Sequence, residues 1–351
     1  MSMKKVVILA AAALTLASCA KTYELQETAQ SQIGFNTWND AMTKAAKTDF
    51  VANDEFDVFG YKWNNASDKA TVFDGVDVKY DGSDWNYSPL RFWDNNYASY
   101  TFFAAYPKDQ LAAGDYAQTG RFVSEELAYD GSHEVLLVAQ KKDVAKAAYG
   151  NDVQLKFKHV GSLVDIKVKK HTDIAAAKVE VTSIALSGIK TTGAFTVSEY
   201  DGDNNPVGTW AATSAVNDAT VAPYLSNSTV TLAKNAGVGT ANASNLLTNL
   251  VLMPQSLAKD GGPQITISYK IITGEGATED TITFTDKSFF FGQFDKSDPD
   301  PTDKDNTDPR ISAWMPGVHY TYYITINANA ITFTASIDTW SAETGHYYLV
   351  Y

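Results

Sequence analysis

Residues 163–170 read Leu163-Val164-Asp165-Ile166-Lys167-Val168-Lys169-Lys170, and residues 178–186 read Lys178-Val179-Glu180-Val181-Thr182-Ser183-Ile184-Ala185-Leu186. Apolar and polar residues alternate with a period of two in both, the pattern of strands that bury one face. Outward from this pair the same signal recurs. On the N-terminal side it appears in Ile33–Trp38, Phe56–Tyr61 and Val76–Tyr80, the last followed by the turn pair Asp81-Gly82. Tyr100-Thr101-Phe102-Phe103-Ala104-Ala105-Tyr106 reads as a buried strand, apolar or aromatic but for Thr101, and stops at Pro107. On the C-terminal side come Leu250–Met253, Gln264–Ile271, Thr281–Phe284, Tyr320–Ile326 and Ala330–Ile337. No helical period is sustained; residues 140–149 are the best local helix candidate, ending at Gly150. Short strands separated by turn signals predict an all-β chain of antiparallel sandwiches. We place a boundary near residue 155, which gives an N-terminal β-sandwich over 48–155 and a C-terminal one over 156–351.

Composition agrees. The chain has 351 residues, enough for two domains or one large one, and its 7 Trp, 19 Tyr and 17 Phe favour strands. Its formal net charge is −13, and loss of a leader carrying Lys4 and Lys5 takes the remainder to about −15. An acidic surface repels phosphate backbones, which argues against a nucleic-acid partner. Cys19 is the single cysteine, so no disulfide framework exists and no CxxC site is available.

Residues 1–18 have the layout of an export signal: Lys4 and Lys5, then an apolar stretch from Val6 to Ala17, too short to span a bilayer. Leu16-Ala17-Ser18-Cys19 resembles a bacterial lipobox. Cys19 is therefore expected to carry acyl chains, each buried CH₂ contributing ~0.8 kcal/mol of anchoring, with outer-membrane lipid as the partner. Residues 19–47 then form a tether followed by a first strand.

The five histidines, His133, His159, His171, His319 and His346, form no HxH, HxxxH or HExxH spacing. No GxSxG, GxxxxGK[ST] or GxGxxG motif occurs. No catalytic residue, metal site or cofactor is expected, and the chain does not read as an enzyme. Segment 295–309 holds six aspartates and three prolines. It lacks the residue order of a calcium loop and reads as a solvated insertion. Trp85, Tyr87, Phe92 and Trp93 read as core aromatics, with stacking on sugar rings as the alternative.

Taken in order, several landmarks resemble the fimbrillin family of Bacteroidetes, the subunits of type V pili. They are the lipobox at Cys19, the strand Ile33–Trp38, and Phe50-Val51-Ala52-Asn53-Asp54-Glu55-Phe56-Asp57-Val58-Phe59. Next come Trp93, Tyr100–Pro107 and Leu155-Lys156-Phe157-Lys158-His159-Val160. Last are Val251-Leu252-Met253-Pro254-Gln255, Trp314-Met315-Pro316-Gly317-Val318-His319-Tyr320-Thr321-Tyr322 and Ile337-Asp338-Thr339-Trp340. The resemblance implies two transthyretin-like antiparallel β-sandwich domains in tandem. It also implies a structural subunit of a surface fimbria, exported as a lipoprotein and assembled by donor-strand exchange, with other fimbrial subunits and a host protein or glycan as partners. In such a scheme the leaving strand presents Ile33, Phe35 and Thr37. Cleavage follows Lys44 or Lys47, where the family's maturation sites carry arginine. The donor strand presents Tyr347, Leu349 and Tyr351. The competing reading is a surface lipoprotein that binds glycan and does not polymerise.

Overall fold

The computed structural model describes residues 31–39, 50–109, 122–128, 136–200, 206–212, 216–222, 224–296, 311–328 and 331–339. In chain order the strands are β1 (Phe35–Asn39), β2 (Glu55–Asn65), β3 (Asp68–Tyr80), β4 (Trp85–Asn86), β5 (Ser99–Tyr106), β6 (Phe122–Ala128) and β7 (Leu137–Ala145). Then follow β8 (Val153–His159), β9 (Ser162–Lys170), β10 (Lys178–Ser187), β11 (Thr192–Tyr200), β12 (Pro206–Ala212), β13 (Leu225–Ser226) and β14 (Val230–Leu232). The last are β15 (Ser244–Leu252), β16 (Gln264–Thr273), β17 (Asp280–Phe290), β18 (Asp295–Lys296), β19 (Val318–Ile326) and β20 (Ile331–Thr339). Among the described residues the only helical pieces are short 3₁₀ turns, and none is long and apolar enough to cross a membrane. The chain is all-β.

The strands form four sheets. One runs β1-β8-β7-β5-β2-β3-β4. Two others run β13-β10-β16-β17, with β14 also on β10, and β15-β9-β19-β20-β18. The fourth is the small sheet β12-β11-β6. Most pairs are antiparallel, but β1–β8, β9–β19 and β18–β20 are parallel.

Three apolar clusters fill the space between the sheets. One gathers Ile33, Phe35, Phe56, Phe73, Trp93, Phe102 and Phe157 with their neighbours. A second gathers Val164, Ile166, Val179, Ile267, Phe291, Trp314 and Tyr322 with theirs. The third lies between the first sheet and the small sheet, where Phe59, Tyr61, Phe103 and Val138 meet Val160, Phe195 and Met253. Strand β5 explains its own composition. Successive side chains point to opposite faces, so Tyr100, Phe102 and Ala104 enter the first cluster while Phe103 and Ala105 enter the third. All eight of its residues are buried. In the second cluster, Lys170 is buried among apolar groups. Its ammonium donates to the carbonyls of Ala175, Ala177 and Ala233 at 2.9, 2.7 and 2.8 Å, which answers the cost of burying it.

The helix expected over 140–149 is absent. Strand β7 runs through Ala145, and only Lys146–Ala148 forms a 3₁₀ turn. Pairing of Leu137–Lys141 with β5 outweighs the helix propensity of the Ala/Lys-rich stretch. Asp143, at φ 54°, marks the irregularity where the β5–β7 register shifts.

Candidate functional site

The first sheet and its core are completed by residues 31–39, in which an isolated bridge at Gln32 precedes β1 and each part of the segment meets its own border. On one side β1 pairs in parallel with β8, from Phe35 opposite Val153 to Asn39 opposite Phe157. The Val153 N–H donates to the Gly34 carbonyl at 2.8 Å. On the other side Gln32 bridges Phe92 in antiparallel sense. There the Ile33 N–H donates to the Arg91 carbonyl at 2.9 Å, and the Trp93 N–H donates to the Ser31 carbonyl at 3.0 Å. Side chains reinforce this border. The Tyr87 hydroxyl donates to the Ile33 carbonyl at 2.6 Å, and the Trp85 indole N–H donates to the Thr37 hydroxyl oxygen at 3.0 Å.

The alternation of the segment sets what it buries. Ile33 and Phe35 are buried, Asn36 is exposed and Thr37 is half-buried. The Phe35 ring sits edge-on to Phe56, Phe73, Tyr87 and Phe102, at centroid distances of 6.4, 5.3, 5.7 and 5.9 Å. Aromatic pairs at such distances add to simple area burial. Burial of Ile33 and Phe35 contributes about 3–6 kcal/mol by area alone. A β-carbon at Gly34 would lie 2.1 Å from the Asp152 carboxylate, so the backbone approach there is close. Without the segment, β8 would show an open ladder edge beside a pocket lined by aromatic rings, the combination that recruits another strand.

The structure brings Ile33, Phe35 and Thr37 together in this groove. Cys19, Lys44, Lys47, Tyr347, Leu349, Tyr351 and residues 297–309 of the aspartate-rich segment lie outside the described residues. Of the aromatics weighed for sugar stacking, Trp93 and Tyr87 are buried, and Trp85 is partly buried with its indole N–H on Thr37; Phe92 is 46 % exposed. They wall the groove. Their alternation in sequence marked them as core, but which strand they would surround depends on pairings between residues some fifty positions apart.

The described histidines are each accounted for by structure. His159 is buried, and burial with the Lys158 charge beside it holds its imidazole down at about 3. His319 Nε2 lies 3.0 Å from Asp165 Oδ2, and the Asn249 N–H donates to Asp165 Oδ1 at 2.7 Å. Burial pushes the Asp165 carboxyl up, but these two bonds outweigh it and leave the group below the usual carboxylate range. His171 pairs with Asp173 on the surface.

No curated protein matches the chain in sequence. Among solved structures it is similar to a fimbrial protein from Bacteroides vulgatus, with 18 % identity and a TM-score of 0.53 over 88 % of this chain and 99 % of that one. It is also similar, with 10 % identity and a TM-score of 0.38 over 82 % of this chain and 95 % of that one, to the tip fimbrial protein Mfa3 from Porphyromonas gingivalis with C-terminal truncation. The first of these shows a shared fold. The profile of the fimbrillin-like family matches residues 43–340, most of the chain. The chain therefore belongs to the fimbrillin-like family, which supports a fimbrial structural or adhesion role at the cell surface.

Proposed function

We propose that this chain is a structural subunit of a cell-surface fimbria, exported as a lipoprotein through Cys19 and assembled by donor-strand exchange to support adhesion. One observation carries the reading: residues 31–37 fill a two-sided groove and supply the core residues Ile33 and Phe35. Cleavage after Lys44 or Lys47 would separate this strand from the rest of the chain. Its departure would expose the β8 edge and the Phe35 pocket. A strand from a neighbouring subunit, with Tyr347, Leu349 and Tyr351 as its inward residues, would restore both the ladder and the core. Such donation is head-to-tail and does not close on itself, so it builds a filament. We read the first two core clusters as the cores of two tandem sandwiches, and other fimbrial subunits as the partners.

A reversible lock tests this. Asn36 and Gln154 are exposed register partners in the β1–β8 ladder. Adjacent strands lie about 4.8 Å apart, within the Cα spacing a disulfide spans. Cells producing the Asn36→Cys/Gln154→Cys variant should shed monomers that form a heat-sensitive ladder only after reduction. Wild-type material should form the ladder directly and start at Ala45 or Thr48. A ladder from the oxidised variant, or one whose subunits retain residues 33–38, would contradict strand exchange.

A further inference from the structure

Three aspartates remote in sequence converge beside β2. Asp57 lies directly opposite Asp77 in the antiparallel β2–β3 register. Asp109 follows β5, and its backbone N–H donates to Asp57 Oδ2 at 2.6 Å. One oxygen from each carboxylate lies within 4.8 Å of those from the other two. Like charges directly opposite in a ladder are destabilising, so the arrangement favours a compensating cation. The neighbouring lysines supply only part of it. Lys108 Nζ lies 3.0 Å from Asp77 Oδ2 but also 2.5 Å from Glu55 Oε2, and Lys79 reaches Glu55 at 3.1 Å. Among the described residues no ammonium group reaches Asp57 or Asp109.

A second observation points to a missing partner. Asp57 is 4 % exposed, and its Oδ1 is buried without any hydrogen-bond donor. A buried carboxylate oxygen in that state is costly, and a cation beside it answers the cost.

We propose that Asp57, Asp77 and Asp109 bind a calcium ion beside the β2–β3 ladder. Calcium takes oxygen ligands at about 2.3–2.6 Å in flexible geometry. Oxygens within 4.8 Å of one another fit around one such ion, with water completing the shell. Three carboxylates without a dedicated loop correspond to the weak extracellular class, with Kd on the order of 10⁻⁴–10⁻³ M. Local spacing in the sequence does not announce the site, because its ligands sit on β2, on β3 and after β5.

The test is a calcium titration of the full chain at pH 7.5, after chelation and at constant ionic strength, read as melting temperature. Wild type should show a saturable rise of several degrees, half complete at about 0.1–1 mM calcium. Asp77→Asn and Asp109→Asn should each abolish the rise while keeping the far-UV spectrum of the calcium-free wild type. Asparagine suits position 109, whose φ is 64°. Calorimetric titration of the wild type with calcium chloride supplies a second reading that needs no variant. No rise and no heat by about 10 mM, ten times the weak limit of the class, overturns the proposal. A rise that persists in either variant also overturns it and places the ion elsewhere, the 297–309 segment included.

Discussion

Asp57 carries a consequence that stands apart from any bound ion. Its carboxyl titrates near 6 in the fold, chiefly because it is buried, against about 4 in an unfolded chain. A carboxyl whose pKa rises on folding adds stability that is fully present below about pH 4. That stability is lost as pH climbs through about 6. In calcium-free buffer at pH 7.5 the ionised group therefore strains the native state. Asp57→Asn removes the titration, and its amide can still accept from the Asp109 N–H. Relative to wild type, the variant should gain on the order of 1–3 kcal/mol between pH 4 and pH 7.5. Urea denaturation at both pH values checks it; a stability difference that does not change with pH would refute the assignment.

At the scale of the element, β1 is held by its ladder to β8 on one side, and residues 31–33 just before it are held on the other. Strand β1 is five residues long, and its ladder partner β8 lies parallel to it. Isolated strands of this length are not stable, so the strand depends on what its side chains fill. Phe35 is the anchor, with four aromatic rings around it. Truncation there removes the largest contact of the segment and leaves a cavity. Phe35→Ala should cost about 3–5 kcal/mol in chemical denaturation. It should also raise protease sensitivity and hydrogen exchange across residues 31–39 more than elsewhere. Uniform loss of protection over the whole chain, with no excess at this segment, would show that β1 does not open as a separate unit.

At the scale of the whole molecule, the small sheet ties the chain together. β6 follows β5 in sequence yet pairs with β11, which belongs with the later strands. The hairpin β11–β12 then lays Phe195 and Trp210 against Phe59, Tyr61, Phe103 and Val138. The Trp210 indole N–H donates to the Val160 carbonyl at 2.8 Å. A shared apolar layer couples the unfolding of the parts that share it. Calorimetry of the wild type should show one cooperative transition, and Phe195→Ala should broaden or split it while lowering stability by about 3–5 kcal/mol. Two resolved transitions in the wild type would mean that this layer contributes little.

The period-two alternation of Leu163–Lys170 and Lys178–Leu186 determined by itself that the chain is all-β, and the same pattern placed Ile33 and Phe35 on one face of a strand. The largely apolar run of Tyr100–Tyr106 marked a buried strand. These are local properties, written in which neighbours along the chain share a face. Tertiary structure alone decided which strands meet. It turned residues 140–145 from an expected helix into the strand beside β5. It chose parallel partners for β1 and β9, and it gathered Tyr87, Phe73 and Phe102 around Phe35. It also set Asp57, Asp77 and Asp109 side by side. The physical reason is the same in each case: pairing and packing follow the joint burial of residues far apart in sequence, and no window of sequence contains both partners.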